Sequence, residues 1–162
     1  MPSTKPDLTA RDYWALPEGV RAELIDGELW DLAAPNRLHQ EIVHALDVAF
    51  VEHNLPRGGS CKVDPATFAA NLFADDGTFV EPDVSVVCDR SKLSDRGCEG
   101  APDLVVEVVS PSISVMDYIT KLGLYRNAGV REDWSCDPGR SEALRYDFGF
   151  EQLIETHDFL SP

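Results

Sequence analysis

Apolar residues along the chain follow two rhythms, alternation and helical spacing. In "AELIDGELWDL" two apolar-rich runs flank Asp26 and Gly27, a dipeptide suited to the positive-φ positions of a two-residue hairpin turn. Leu38, Ile42, Ala45, Leu46, Ala49 and Phe50 recur at helical spacing, with Asn36 placed to cap the run and "LPRGG" to end it. "TARD", with Thr9 as N-cap and Asp12 reaching back, predicts a short helix before Pro17. Three strand candidates follow at about residues 61–70, 78–88 and 103–109, and the loop "DRSKLSDRGCEGAP" separates the last two. A second long helix is predicted over about residues 114–128, closed by Gly129 in a left-handed cap. "REDWSCDP" reads as a further strand, and "ALRYDF" with "FEQLIETH" as a final hairpin. The core order is helix, three strands, helix, strand. It predicts an α/β layer with mixed strand directions, carrying extra N-terminal and C-terminal hairpins.

Composition narrows the function classes. A chain of 162 residues, 43% hydrophobic and 27% charged, suits one globular domain over residues 1–162. Asp and Glu outnumber Lys and Arg 29 to 14, a formal charge of −15, so the average field repels nucleic acid and anionic membranes. Any nucleic-acid role needs a local exception. No run approaches the roughly 18 apolar residues of a membrane span, and the N-terminus lacks a secretory h-region, so a cytoplasmic protein is expected. Cys61, Cys88, Cys98 and Cys136 form no C-x-x-C pair and have no histidine at zinc-ligand spacing, which predicts reduced thiols.

The chemistry concentrates in "PDLVVEVVSPS", a strand whose apolar run is interrupted by Glu107. A buried carboxylate costs several kcal/mol unless a charge or hydrogen-bond donor meets it. Glu107 shares a strand face with Val105 and Val109. Asp103 lies on that face too, but about 13 Å along the strand, too far to share a cation. The partner must come from another element, and Asp83, in "VEPDVSVV", is placed to lie level with Glu107 on an adjacent strand. Two adjacent carboxylates repel, and a divalent cation stabilises both as anions; oxygen-only ligands point to Mg2+ or Mn2+. A structural ion pair between Glu107 and an arginine such as Arg126 is the plainer alternative.

"PD" at Pro82-Asp83, the strand carrying Glu107 and the helix after it resemble the PD-(D/E)XK restriction-endonuclease-like superfamily. More narrowly, "AELIDGEL", "APNRLHQEI", "EPDVSVV", "APDLVVEVVSPS", "KLGLYRNAGV" and Asp137-Pro138 are similar to blocks of the Uma-two family of bacterial endonucleases, in the same order. That resemblance implies a restriction-endonuclease-like core and Mg2+- or Mn2+-dependent hydrolysis of DNA. It implies that Asp83, Glu107 and the Val108 carbonyl hold the metal, whose bound water becomes acidic. The superfamily's lysine, two positions after the glutamate, is Val109 here, and a valine cannot polarise phosphate. In the Uma-two pattern the lysine rides on the following helix, which selects Lys121; Glu23 matches a glutamate that adds to the metal shell. His39 falls in a matching block, as a capping or packed residue or as a ligand. The family pattern also continues past the last residues of this chain, which is short at its C-terminus by that measure.

Two functions follow. One is a Mg2+-dependent DNA endonuclease; the other is an inactive relative that keeps the fold as a binding or oligomeric module, favoured by Val109 and the acidic charge. Arg37, Arg57, Arg90, Lys92 and Arg96 decide part of this. Gathered at the mouth of the site they would hold a strand or duplex; scattered, they count against DNA. A homodimer would let two such mouths face two strands.

Overall fold

The computed structural model describes residues 7–111, 115–149 and 152–158. Helix α1 (Ala10–Trp14) opens with Asp12 accepting the Thr9 backbone N–H at 2.9 Å. Strands β1 (Ala22–Ile25) and β2 (Glu28–Asp31) form the expected hairpin, with Asp26 and Gly27 both at positive φ, 48° and 77°. Helix α2 (Arg37–Asn54) is capped as its sequence predicts, Asn36 Oδ1 accepting the His39 N–H at 2.9 Å. Then come β3 (Lys62–Pro65), β4 (Ala69–Asn71), β5 (Phe79–Val80), β6 (Val84–Val87), β7 (Gly97–Glu99) and β8 (Leu104–Val108). Helix α3 (Val115–Ala128) ends at Gly129, whose φ of 91° turns the chain so that the Val130 N–H reaches the Tyr125 carbonyl at 3.1 Å. Strands β9 (Glu132–Asp137), β10 (Glu142–Asp147) and β11 (Gln152–Asp158) complete the order.

These strands build two sheets. The larger has the order β11-β10-β9-β8-β6-β3, with β8 and β9 parallel and the other neighbours antiparallel. The smaller runs β2-β1-β5-β4-β7. The two long strand candidates at 61–70 and 78–88 are each broken, β3 and β6 going to the large sheet and β4 and β5 to the small one. Pro65 ends β3 and Pro82 lies between β5 and β6, where a residue without an N–H interrupts the ladder and lets the chain change sheets. Strand β7 arises from the segment expected to be loop. It pairs in parallel with β4, and Gly97 permits this, because a side chain there would collide with the Ala69 carbonyl.

The large sheet is apolar on both faces. Val84, Val106, Val108 and Cys136 pack with Val43 of α2 on one side. Val87, Val105 and Tyr125 pack with Ile25, Leu72 and Val80 on the other, so the small sheet and α3 cover the face that carries Glu107. Each fully buried side chain of this kind stabilises by roughly 1.5–3 kcal/mol.

The thiol expectation holds for two cysteines and fails for two. Cys98 and Cys136 are free and buried, but Cys61 and Cys88 form a disulfide. They lie one step beyond the Lys62–Val87 pair of the β3–β6 ladder, so the pairing comes from strand register, which cysteine spacing does not reveal. Among the described residues, no helix is long and apolar enough to cross a membrane.

Candidate active site

Asp83 and Glu107 meet through strand register. Val84 pairs with Val106 at the end of the β6–β8 ladder, and continuing that register by one step sets Asp83 level with Glu107. Directly opposed residues share a sheet face. Asp83 is fixed by two contacts on one oxygen, its Oδ2 accepting the Val108 N–H at 2.7 Å and lying 3.1 Å from His39 Nε2. Val108 thus enters the site through its amide.

Helix α3 supplies the cation. Lys121 Nζ lies 2.8 Å from Glu107 Oε1 and 2.9 Å from Glu23 Oε1, and its side chain is only 16% exposed. Tyr125, one helical turn on, donates its hydroxyl to the same Glu107 oxygen. The i, i+4 spacing puts both side chains on one face of α3. Glu23, 3% exposed, also accepts the Glu81 N–H at 2.9 Å, and Glu81 is held by Arg21 at 2.9 Å and by the Tyr13 hydroxyl at 3.3 Å. A chain of polar contacts therefore runs from the N-terminal helix and hairpin into the site. Glu107 is paired with Lys121 and Tyr125 instead of the arginine partner considered from sequence.

Burial pushes the Glu107 carboxyl up to about 8; Lys121 opposes the rise, while the charges of Asp83 and Glu23 add to it. Burial alone would lower the Lys121 ammonium, but Glu107 and Glu23 together raise it instead, so it stays charged. The Tyr125 phenol is raised by burial and by Glu107. Behind the pair lies a cavity of about 20 Å³ bordered by Val109, Tyr118 and Asp133. Asp133 is 2% exposed, its Oδ1 has no hydrogen-bond partner among the described residues, and burial lifts its carboxyl to about 7.

The donor set suits a hard cation. Among the described residues, the hydrogen bonds of Asp83 fall on Oδ2 and those of Glu107 on Oε1, leaving one oxygen of each carboxylate without a hydrogen bond. No three His, Cys, Asp or Glu side chains among them close into a ready cage. Mg2+ needs no such cage, since it keeps several waters and is commonly held by one or two carboxylates. The residues present therefore fit Mg2+ or Mn2+ bound through Asp83 and Glu107.

The basic residues do not gather. Arg57 ends the 3-10 turn after α2, Arg90 bonds the Ser60 carbonyl at 2.9 Å, Lys92 bonds the Ala101 carbonyl at 3.0 Å, and Arg96 lies over Trp14. Arg90, Lys92 and Arg96 leave the end of β6 remote from Asp83, so the sequence neighbourhood that suggested a cluster is carried away by the strand. Arg37 alone of the five stands near the site, two residues before His39, and it is paired with Glu41 at 2.8 Å. A groove of about 680 Å³ opens beside His39, lined by Leu38, Val109, Tyr118, Ile119, Arg140 and Leu144 among others.

Asp103 accepts the Cys88 N–H at 2.8 Å, a structural role away from the carboxylate pair, and Ser110 lines the groove. Ser112 is outside the described residues. Tyr125 is not singled out by the sequence; its i, i+4 spacing from Lys121 is the signal available there that it shares the site. The His39 contact with Asp83 spans 44 residues and has no local signature. Nor did the Glu81 relay or the buried Asp133.

Comparison with known proteins agrees with the architecture. A protein from Synechocystis sp. (strain ATCC 27184 / PCC 6803 / Kazusa), described as "uncharacterized protein slr1290", is 28% identical over 131 residues, 80% of this chain and 67% of that protein. A crystal structure from Anabaena variabilis ATCC 29413, described as "a putative nuclease belonging to DUF820", superimposes with a TM-score of 0.72 at 22% identity, covering 93% of this chain and 84% of the other. At that identity the likeness speaks for the fold, which is restriction-endonuclease-like. The model of one family matches residues 10–161, and on that match the chain belongs to Uma2, the family described as "putative restriction endonuclease".

Proposed function

We propose that this protein is a metal-dependent endonuclease that hydrolyses DNA phosphodiester bonds, with Asp83 and Glu107 holding the cation together with the Val108 carbonyl. The observation that carries the reading is the meeting of three elements: two carboxylates opposed on neighbouring strands, and a buried lysine 2.8 Å from one of them, supplied by the helix that follows. When bound, Mg2+ or Mn2+ supplies a Lewis acid that acidifies water and neutralises charge on phosphate oxygens.

The chain's own groups divide the remaining work. Glu23 and Glu107 hold the Lys121 ammonium beside the cleft, where it stabilises the negative charge gathering on the phosphate in the transition state. Tyr125 fixes the Glu107 carboxyl by donating to Oε1, which would leave the other oxygen free to hold a cation. The Val108 amide and His39 do the same for Asp83. In each case a neighbour fixes the orientation of the carboxylate that would serve as ligand.

Incubation of supercoiled plasmid with purified protein and Mg2+ or Mn2+ tests the proposal. The wild type nicks; Glu107→Gln nicks at least 100-fold more slowly. Equal nicking by both refutes the assignment. The non-catalytic alternative rests on one observation, that the Lys121 ammonium lies 2.8 Å from the Glu107 carboxyl and so competes with a cation for it. Calorimetry that detects no Mn2+ binding to the wild type would favour it.

A further inference from the structure

Trp30 stands directly opposite Glu23 across the β1–β2 ladder, so the two side chains share a face. Glu23 is buried and bonded to Lys121, while Trp30 is 42% exposed. An indole is thus left open to solvent beside the lysine end of the site. At the Asp83 end, the groove of about 680 Å³ beside His39 presents Leu38 and Ile119, which are 52% and 55% exposed. Both apolar surfaces adjoin charged groups of the same site. Among the described residues, Arg140 is the one guanidinium in the groove lining and Arg37 is next to Leu38 in the chain; both are paired with carboxylates, Asp137 at 3.6 Å and Glu41 at 2.8 Å.

A duplex presents this surface with its phosphates and hides its base faces. Two partly neutralised arginines on a chain of charge −15 are a weak match for that array. A single strand presents uncharged base faces, which stack on exposed aromatic side chains whatever the sequence. We infer that the nucleic acid taken by this site is single-stranded, with one base stacked on Trp30 and a neighbouring nucleotide held against the apolar wall of the groove at Leu38 and Ile119. The inference rests on the nuclease reading above for the position of the scissile phosphate, and it adds the substrate class. Trp30 is then a specificity residue that positions the strand and takes no part in bond cleavage.

The test is binding of a fluorescent 20-nucleotide single strand and of its duplex, read by anisotropy with Ca2+ in place of Mg2+, for wild type, Trp30→Ala, Trp30→Phe and Leu38→Glu/Ile119→Glu. The single strand binds wild type at least 10-fold tighter than the duplex. Trp30→Ala loses about 10-fold, as removal of one stacking platform does. Trp30→Phe restores most of the loss, and the salt dependence stays shallow, near a slope of about −1.4 for two phosphates, in all Trp30 variants. Duplex binding as tight as single-strand binding, no measurable single-strand binding, or unchanged affinity in Trp30→Ala overturns the inference. So does a groove variant that binds normally while a wild-type dimer becomes a monomer, because the groove would then be an interface between copies. Plasmid nicking with Mg2+ is scored separately: a protein that binds strands in this pattern and never cleaves them removes the nuclease reading and leaves the substrate class standing.

Discussion

Lys121→Met tests the electrostatics of the site most directly. The substitution keeps the length and the apolar stem of the side chain, and removes the one cation that touches both Glu23 and Glu107. Those carboxylates are 4% and 13% exposed, so water replaces the lost partner poorly. Breaking a buried pair by removing one member costs about 3–5 kcal/mol. For a chain of this length each kcal/mol shifts Tm by about 2–4 °C, so the expected fall at pH 9.5 is roughly 10 °C. The effect depends on pH. Burial already holds the Glu107 carboxyl at about 8, above its ordinary 4.5, and removal of Lys121 drives it higher. A raised carboxyl stabilises the fold only while protonated; both proteins lose that contribution alike up to about pH 8, and the variant alone goes on losing it above, so its deficit grows by about 1.4 kcal/mol per pH unit from about pH 8. Urea unfolding followed by tryptophan fluorescence at pH 5, 7 and 9.5 measures the difference. Mn2+ then restores part of the loss, up to about 2.7 kcal/mol at a concentration 100-fold over its Kd, because it supplies positive charge at the same carboxyl. A deficit below 1 kcal/mol at pH 9.5, or one equal at pH 5 and 9.5, refutes the reasoning.

Two further outcomes follow from the same buried charges. Apparent Mn2+ affinity of the wild type, measured by calorimetry, rises with pH between 6 and 8 and then levels, since Glu107 must release a proton to serve as ligand; a flat profile removes Glu107 from the ligand set. Asp133, lifted by burial to about 7 from 3.8, is a liability once ionised, so wild-type stability falls as pH rises from about 4 to 7. Asp133→Asn is expected to make that slope shallower, leaving the share of Glu107, and to be more stable than wild type at pH 8.5 by about 2–4 kcal/mol in urea unfolding, from the size of the shift; a variant less stable than wild type at that pH shows that the carboxylate is paired in solution.

What could be read from the chain beforehand was whatever depends on near neighbours. The Asp26-Gly27 turn, the Asn36 cap and the Gly129 stop are set by backbone preferences within a few residues, and each falls where the pattern puts it. Strand alternation also sets Asp83 level with Glu107, but the groups that meet the Glu107 carboxyl are Lys121 and Tyr125 of α3, which alternation along a strand does not reach. Sheet membership was not legible. A run such as "VDPATFAA" is apolar whether it stays in one sheet or crosses to another, and Pro65 marks a break without saying where the chain goes next. The disulfide was missed for the same reason, and the placement of the basic residues had to be left open, since both depend on where strand ends land in space.

The small sheet bears most on how the site works. From sequence, the hairpin around Asp26-Gly27 reads as an extra attached to a complete core, with Glu23 matched by resemblance alone. In the structure Glu23 closes a relay from Tyr13 and Arg21 through Glu81 to Lys121. Lysine carried by a helix is less constrained than lysine carried by the strand itself, because α3 fixes only the root of a long side chain and its ammonium needs a second anchor to stay beside the cleft. Glu107 is one anchor and Glu23 the other. On the proposed reading the Val109 departure and the N-terminal hairpin are two parts of one arrangement: the strand lacks the lysine, the helix provides Lys121, and β1 supplies the carboxylate that holds it in place.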